Sequence, residues 1–155
     1  MKRFYVALSG LALSLLSSGV AQAAIIGTCT ITVANTGTMT VNGALNVLGS
    51  GEAGGNAAIV TVEPDSLVCS ILNLLDCYGL SAPPPAAFLS APAGGGDSVT
   101  YASTYAVDGG APVNGVTTTR LINGNYTVAV DLTASRATGV FPAGAYQAQV
   151  TVRCE

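Results

Sequence analysis

The sequence contains no histidine, and its single lysine, Lys2, lies at the very start of the chain. Without histidine there is no Ser-His-Asp or Cys-His arrangement, and without a later lysine there is no Ser-Lys pair or Schiff base. Two carboxylates could still hydrolyse a glycosidic bond. However, acids such as Glu52, Asp97 and Asp108 fall in turns and at strand ends, where carboxylates are normally solvated. We therefore expect no catalytic residue and no enzyme.

Metal and cofactor sites are not expected either. The four cysteines lack the paired C-x₂-C spacing of a zinc site, and no histidine can complete one. Asp97, Asp108 and Asp131 carry oxygen ligands of the kind that calcium prefers, but no D-x-D-x-D-G loop is present.

Positive charge is equally scarce. Beyond residue 23 the chain keeps three arginines, Arg120, Arg136 and Arg153, against eight acids, which gives a net charge of −5. A chain with so few cations cannot neutralise a phosphate backbone, so nucleic acid is excluded as a partner. The same count excludes binding to an anionic membrane surface.

The first residues are typical of a secretory leader. Met1-Lys2-Arg3 is followed by an apolar run over residues 4–16, and Ala21-Gln22-Ala23 provides a small-x-small cleavage site. Serines and a glycine interrupt the run before it reaches the length of about 20 apolar residues that a transmembrane helix needs. We expect a signal peptide over residues 1–23 and one exported domain over residues 24–155. The domain would have no membrane span and would lie in the periplasm or at the cell surface.

Alternating residues predict strands along most of the exported chain. At the C-terminal end, apolar residues at every second position from Tyr146 to Cys154 alternate with Gln147, Gln149, Thr151 and Arg153. Residues 28–33 alternate in the same way, with Cys29, Ile31 and Val33 predicted to face inward. Further strands are predicted over residues 58–63, 99–107, 117–122 and 125–132, the last two joined as a hairpin by Asn123-Gly124. Short strands separated by Gly, Pro and Asn-Gly predict an all-β sandwich, with a short helix or irregular insert over residues 66–78.

Two features leave alternatives open. The four cysteines, Cys29, Cys69, Cys77 and Cys154, are an even number in an oxidising compartment, so they favour two disulfides with three possible connectivities.

Tyr101 and Tyr105 share one face of a predicted strand. If they face inward they belong to the core, whereas together at the surface they could bind a glycan or a protein. That second arrangement would suit a self-contained, adhesin-like secreted module.

Motifs at the two ends of the chain suggest a family. They are Cys29-Thr30-Ile31, a second cysteine 40 residues later after an Ala-x-Val-x-Val strand, and a closing Pro-Ala-Gly-x-Tyr-x-Ala-x-Val-x-Val strand. This set resembles bacterial pilin-like β-sandwich proteins of the chaperone–usher and spore-coat-U type. More loosely, it is similar to exported pilin-like proteins with the same Gly-x-Tyr ending.

The resemblance implies an immunoglobulin-like sandwich that lacks its last strand. In that family the gap is filled by a strand from a periplasmic chaperone and later by the N-terminal extension of another subunit. The closing strand would then offer an edge to the partner strand, here at Ala145, Gln147, Gln149 and Thr151. The resemblance favours the disulfides Cys29–Cys69 and Cys77–Cys154. The rival arrangement is Cys29–Cys154 with Cys69–Cys77.

The chain departs from the family at its N-terminal extension. Only five residues, 24–28, precede Cys29 in the expected mature chain, and they reach at most about 17 Å. We therefore expect a protein that receives a strand without donating one, or that completes its own sandwich with residues 39–48. The expected function is a structural or surface subunit of a fimbria-like assembly or cell-surface coat.

Overall fold

The computed structural model describes residues 27–66 and 78–155. The predicted signal peptide and residues 67–77 of the predicted insert lie outside them, as do Cys69 and Cys77. The ten strands are β1 (Thr28–Asn35), β2 (Thr40–Val41), β3 (Val47–Gly49), β4 (Ala58–Asp65), β5 (Tyr78–Ser81), β6 (Val99–Val107), β7 (Val113–Asn114), β8 (Thr119–Leu121), β9 (Tyr126–Arg136) and β10 (Arg153–Cys154). No helix occurs in the described residues, so none there could span a bilayer. The predicted all-β class is confirmed.

Seven strands form the larger sheet, with β9 at its centre. One side of β9 pairs with β6, which in turn pairs with β7. The other side pairs with β4 along one part of its length and with β3 along the next. β1 and β2 run along β4 and β3 in the same way, so together they form one interrupted edge strand. We call β1 and β2 the first strand.

The smaller sheet has the order β10-β5-β8 and packs on one face of the larger sheet. Every second residue of β4 and β9 points toward it, including Val62 and Val128, which are fully buried. From the smaller sheet, Leu80 and Leu121 fill the same core. The molecule is therefore a two-layer sandwich.

The hairpin predicted around Asn123-Gly124 is wrong. β8 and β9 do not pair with each other, because β8 lies in the smaller sheet and β9 in the larger one. The Asn123 side chain accepts a hydrogen bond from the Ser66 backbone N–H and donates one to its carbonyl. This tertiary contact ties the turn to the end of β4, and the chain crosses from one layer to the other here.

The predicted C-terminal strand is confirmed in its burial but not in its pairing. Residues 146–154 alternate between half-buried and exposed as expected. Regular pairing is nevertheless confined to β10, with one isolated bridge from Gln147 to Ser90. Between these two contacts the neighbouring chain contains three prolines at 83–85, which have no N–H to donate. We call residues 146–152 the closing segment.

Candidate functional site

The two layers enclose an apolar groove between the first strand and the closing segment. Its volume is about 250 Å³, smaller than the roughly 300–1,000 Å³ of typical small-molecule sites. The lining residues are Val33, Thr36, Gly37, Met39, Ser50, Ala58, Val60, Val130, Leu132, Ala148, Gln149, Val150 and Val152, none of which is ionisable. We call this feature the open groove.

The first strand is one wall of the open groove, and its inward face lacks a full cover. Ile31 is 37% exposed, Val33 63% and Val41 41%, although strand pairing with buried residues turns all three toward the core side. In a closed sandwich a strand of the opposite sheet would bury these side chains. The smaller sheet ends before it reaches them, because β10 is its edge strand. Ile31 and Val33 thus lie on the inward face as predicted, but this part of the face is not fully covered.

The closing segment is the second wall, and over residues 148–152 its backbone has no partner among the described residues. The structure gives these residues no backbone hydrogen bond to any described residue. Their side chains nevertheless alternate in burial, and the half-buried Ala148, Val150 and Val152 line the groove. The segment is thus extended and packs through its side chains, but its backbone forms no hydrogen bonds with a neighbouring described strand.

The direction of the missing hydrogen bonds follows from the two bonded ends of the segment. Gln147 donates to Ser90 and Glu155 donates to Gly79, and each accepts a bond in return, all on the β5 side. Since backbone groups of alternate residues in a strand point to opposite sides, the odd-numbered residues between them also face β5. The N–H and C=O groups of Ala148, Val150 and Val152 therefore point to the open side of the sandwich.

The predicted partner edge comprised Ala145, Gln147, Gln149 and Thr151. All four are exposed at the surface, but Gln147 is already bonded to Ser90. By the alternation above, the backbone groups of Gln149 and Thr151 point to the β5 side. The free edge consists of the even-numbered residues, whose side chains also line the open groove.

The opposite side of the sandwich is closed by hydrogen bonds between the layers. The Ser103 hydroxyl donates to the Ala82 carbonyl at 2.6 Å, and the Tyr105 hydroxyl lies 3.0 Å from the Leu80 carbonyl and 2.6 Å from Thr119 Oγ1. Gly115 links the same strands, because its N–H donates to Ser103 and its carbonyl accepts from Ala82. The gap between the layers therefore lies at the first strand.

A disulfide between Cys29 and Cys154 joins the two walls near one end of the groove. The favoured pairing of Cys29 with Cys69 and Cys77 with Cys154 is therefore wrong, and half of the rival arrangement is present. Its other half, Cys69–Cys77, lies outside the described residues. The error arose because spacing cannot show that the C-terminal strand returns beside β1.

The predicted ligand face of Tyr101 and Tyr105 is not formed. Tyr105 is 1% exposed and belongs to the core between the sheets. Tyr101 packs edge-on against Phe88, and its hydroxyl accepts a bond from the Phe88 N–H. Phe88 also contacts Phe141 and Tyr146, so Tyr101 belongs to an aromatic cluster beneath the closing segment.

The acids considered as metal ligands lie apart and have structural partners. Asp108 accepts a bond from the Thr127 N–H at 2.8 Å, and Asp131 accepts one from the Ser50 hydroxyl at 2.6 Å. In the described residues no group of three His, Cys, Asp or Glu side chains could hold a metal ion.

Residues 39–48 do not complete the sandwich, contrary to one of the two expectations. They form the β2–β3 hairpin within the larger sheet and leave the inward face of the first strand uncovered. Sequence alone missed Val33 as a groove residue, because exposed and buried valines alternate in the same way. Comparison of the chain with protein-family models, with curated proteins and with solved structures finds no match.

Proposed function

We propose that this protein is an exported, non-enzymatic structural subunit that receives a strand from a partner polypeptide in the open groove. The observation that carries the proposal is the closing segment, in which half-buried and exposed side chains alternate while residues 148–152 have no backbone partner in the part of the chain that the structure describes. The resemblance to pilin-like proteins points the same way. The partner would be another pilin-like subunit or a periplasmic chaperone, and the assembly a fimbria-like structure or cell-surface coat.

A donated strand satisfies two needs of the groove at once. Its backbone would pair with the N–H and C=O groups of Ala148, Val150 and Val152, which otherwise depend on water. Its inward side chains would cover Val33, and full burial of a valine contributes about 1.5–3 kcal/mol. A groove without ionisable lining residues favours apolar side chains at every second position of the incoming strand.

The proposal is tested on the protein purified from the periplasm after export without companion genes. The probe is a synthetic peptide of about ten residues in which valine alternates with threonine, with a lysine at each end for solubility. We expect the peptide to slow hydrogen exchange at Ala148, Val150 and Val152 and to raise the temperature of unfolding. A matched pair of variants locates the effect: Val33→Asp places a charge in the groove, whereas Thr32→Asp places it on the outer face of the same strand.

Binding that is lost in Val33→Asp and kept in Thr32→Asp supports the proposal. A soluble monomer that unfolds in one high-temperature transition and does not respond to the peptide would overturn it, because the sandwich would then be complete without a partner. Equal binding by both variants would also overturn it, since the peptide would then be held outside the groove.

A further inference from the structure

Three Asn-Gly sequences in the described chain have no part in the open groove: Asn42-Gly43, Asn114-Gly115 and Asn123-Gly124. Asn-Gly is the sequence most prone to spontaneous deamidation, because glycine has no side chain to hinder its backbone nitrogen. That nitrogen loses its proton and attacks the asparagine Cγ, and the side-chain amide leaves as ammonia. The resulting succinimide takes up water and opens to aspartate or isoaspartate.

We infer that the fold protects all three sequences from deamidation by holding at least one of the two reacting groups in each. The inference is independent of the proposed function. It depends on the hydrogen bonds of the asparagine side chain and of the glycine N–H, and these differ among the three sites.

At Asn42 the fold holds the side chain. Its Nδ2 donates to Asn46 Oδ1 at 3.0 Å, and its Oδ1 accepts bonds from the N–H groups of Asn46 and Val47. The amide carbon therefore cannot turn toward Gly43 unless three hydrogen bonds break.

At Asn114 the fold holds the glycine instead. Gly115 is buried, and its N–H donates to the Ser103 carbonyl at 2.8 Å. The space around it is closed, since an added Cβ would collide with Ser103 Oγ and with the Ala82 carbonyl oxygen. The nucleophilic nitrogen is thus fixed between the two sheets.

At Asn123 the fold holds both groups. The side chain bonds to the N–H and carbonyl of Ser66, and the Gly124 N–H donates to the Pro64 carbonyl at 3.2 Å. We therefore expect Asn123 to be the slowest site of the three.

The test follows conversion of each asparagine to aspartate or isoaspartate by peptide mass spectrometry at mildly alkaline pH. The intact exported protein is compared with the same protein unfolded in urea. We expect each site to react at least about tenfold more slowly in the folded protein, because reaction requires local opening. Equal rates in folded and unfolded protein at any of the three sites would overturn the inference for that site.

A variant tests the mechanism at one site. Asn46→Ala removes the acceptor of the Asn42 amide, and we expect severalfold faster deamidation at Asn42 with no change at Asn114 or Asn123. The matched control is Asn56→Ala, which removes a surface bond to Thr38 and touches none of the three sequences. An unchanged rate at Asn42 in Asn46→Ala, or an equal rise in Asn56→Ala, would overturn the assigned role of the side-chain bonds.

Discussion

Cys29 and Cys154 join the first and last strands of the described fold, with their Cα atoms 6.1 Å apart and 125 positions between them in sequence. Cys29 lies on the edge strand of the larger sheet and Cys154 on the edge strand of the smaller one. The disulfide therefore links the two sides of the open groove covalently near one end. Residues 148–152 have no backbone hydrogen bonds to described residues.

The first prediction concerns this disulfide. A cross-link that closes a long loop restricts the unfolded chain, and its loss from a small exported domain typically costs about 2–5 kcal/mol. We expect Cys29→Ser with Cys154→Ser to lower the free energy of unfolding by that amount in urea titrations. The double variant removes this disulfide alone, whereas a reducing agent is not specific to it. A loss below about 1 kcal/mol would show that packing alone holds the closing segment.

The second prediction compares two leucines. Leu80 is completely buried between the sheets, whereas Leu89 is 70% exposed. We expect Leu80→Ala to cost about 2–5 kcal/mol of stability and Leu89→Ala to cost less than about 0.5 kcal/mol. Chemical denaturation of the two variants measures the difference. Similar losses for both would mean that the smaller sheet does not pack on the larger one as described.

The third prediction concerns the closed side of the sandwich. The Tyr105 hydroxyl lies within hydrogen-bond distance of the carbonyls of Leu80 and Thr117 and of Thr119 Oγ1. Tyr105→Phe leaves these buried groups without the hydroxyl, and we expect a loss of about 1–3 kcal/mol. Tyr126→Phe is the matched control, because its hydroxyl bonds the Ile122 carbonyl at the surface. An equal effect of the two substitutions in thermal unfolding would contradict the inter-sheet role of Tyr105.

The fourth prediction concerns the free edge itself. Ala148→Pro removes an N–H that points to the open side, and Gln149→Pro removes one that points to the β5 side. Neither N–H has a backbone partner among the described residues, and proline is compatible with extended backbone, so both variants should fold. We expect only Ala148→Pro to lose affinity for the valine–threonine peptide, by about fivefold or more for one hydrogen bond of roughly 1 kcal/mol. The reverse order, measured by titration of the peptide, would refute the assigned direction of the backbone groups.

The sequence by itself determined which segments are extended and which side chains alternate. The positions of β4, β6 and β9 follow from runs of β-branched and aromatic residues, and Gly, Pro and Asn-Gly mark where they end. The alternation of residues 146–154 even gave the burial of each side chain correctly. These features are local, because they depend on the geometry of a single strand.

Tertiary structure decided which strands are neighbours, and the candidate site depends on that. Ile31 and Val33 have the same pattern as Val60 and Val62, yet the first pair is uncovered and the second is buried. The difference lies in the smaller sheet, which ends at β10 and meets the first strand only at Cys29, so it does not cover Ile31 and Val33. For the same reason the sequence could not show that Cys29 pairs with Cys154, or that the chain passes from the smaller sheet to the larger one at Asn123. Strand pairing and sheet edges are set by contacts between distant residues, and a period of two along one strand contains no information about them.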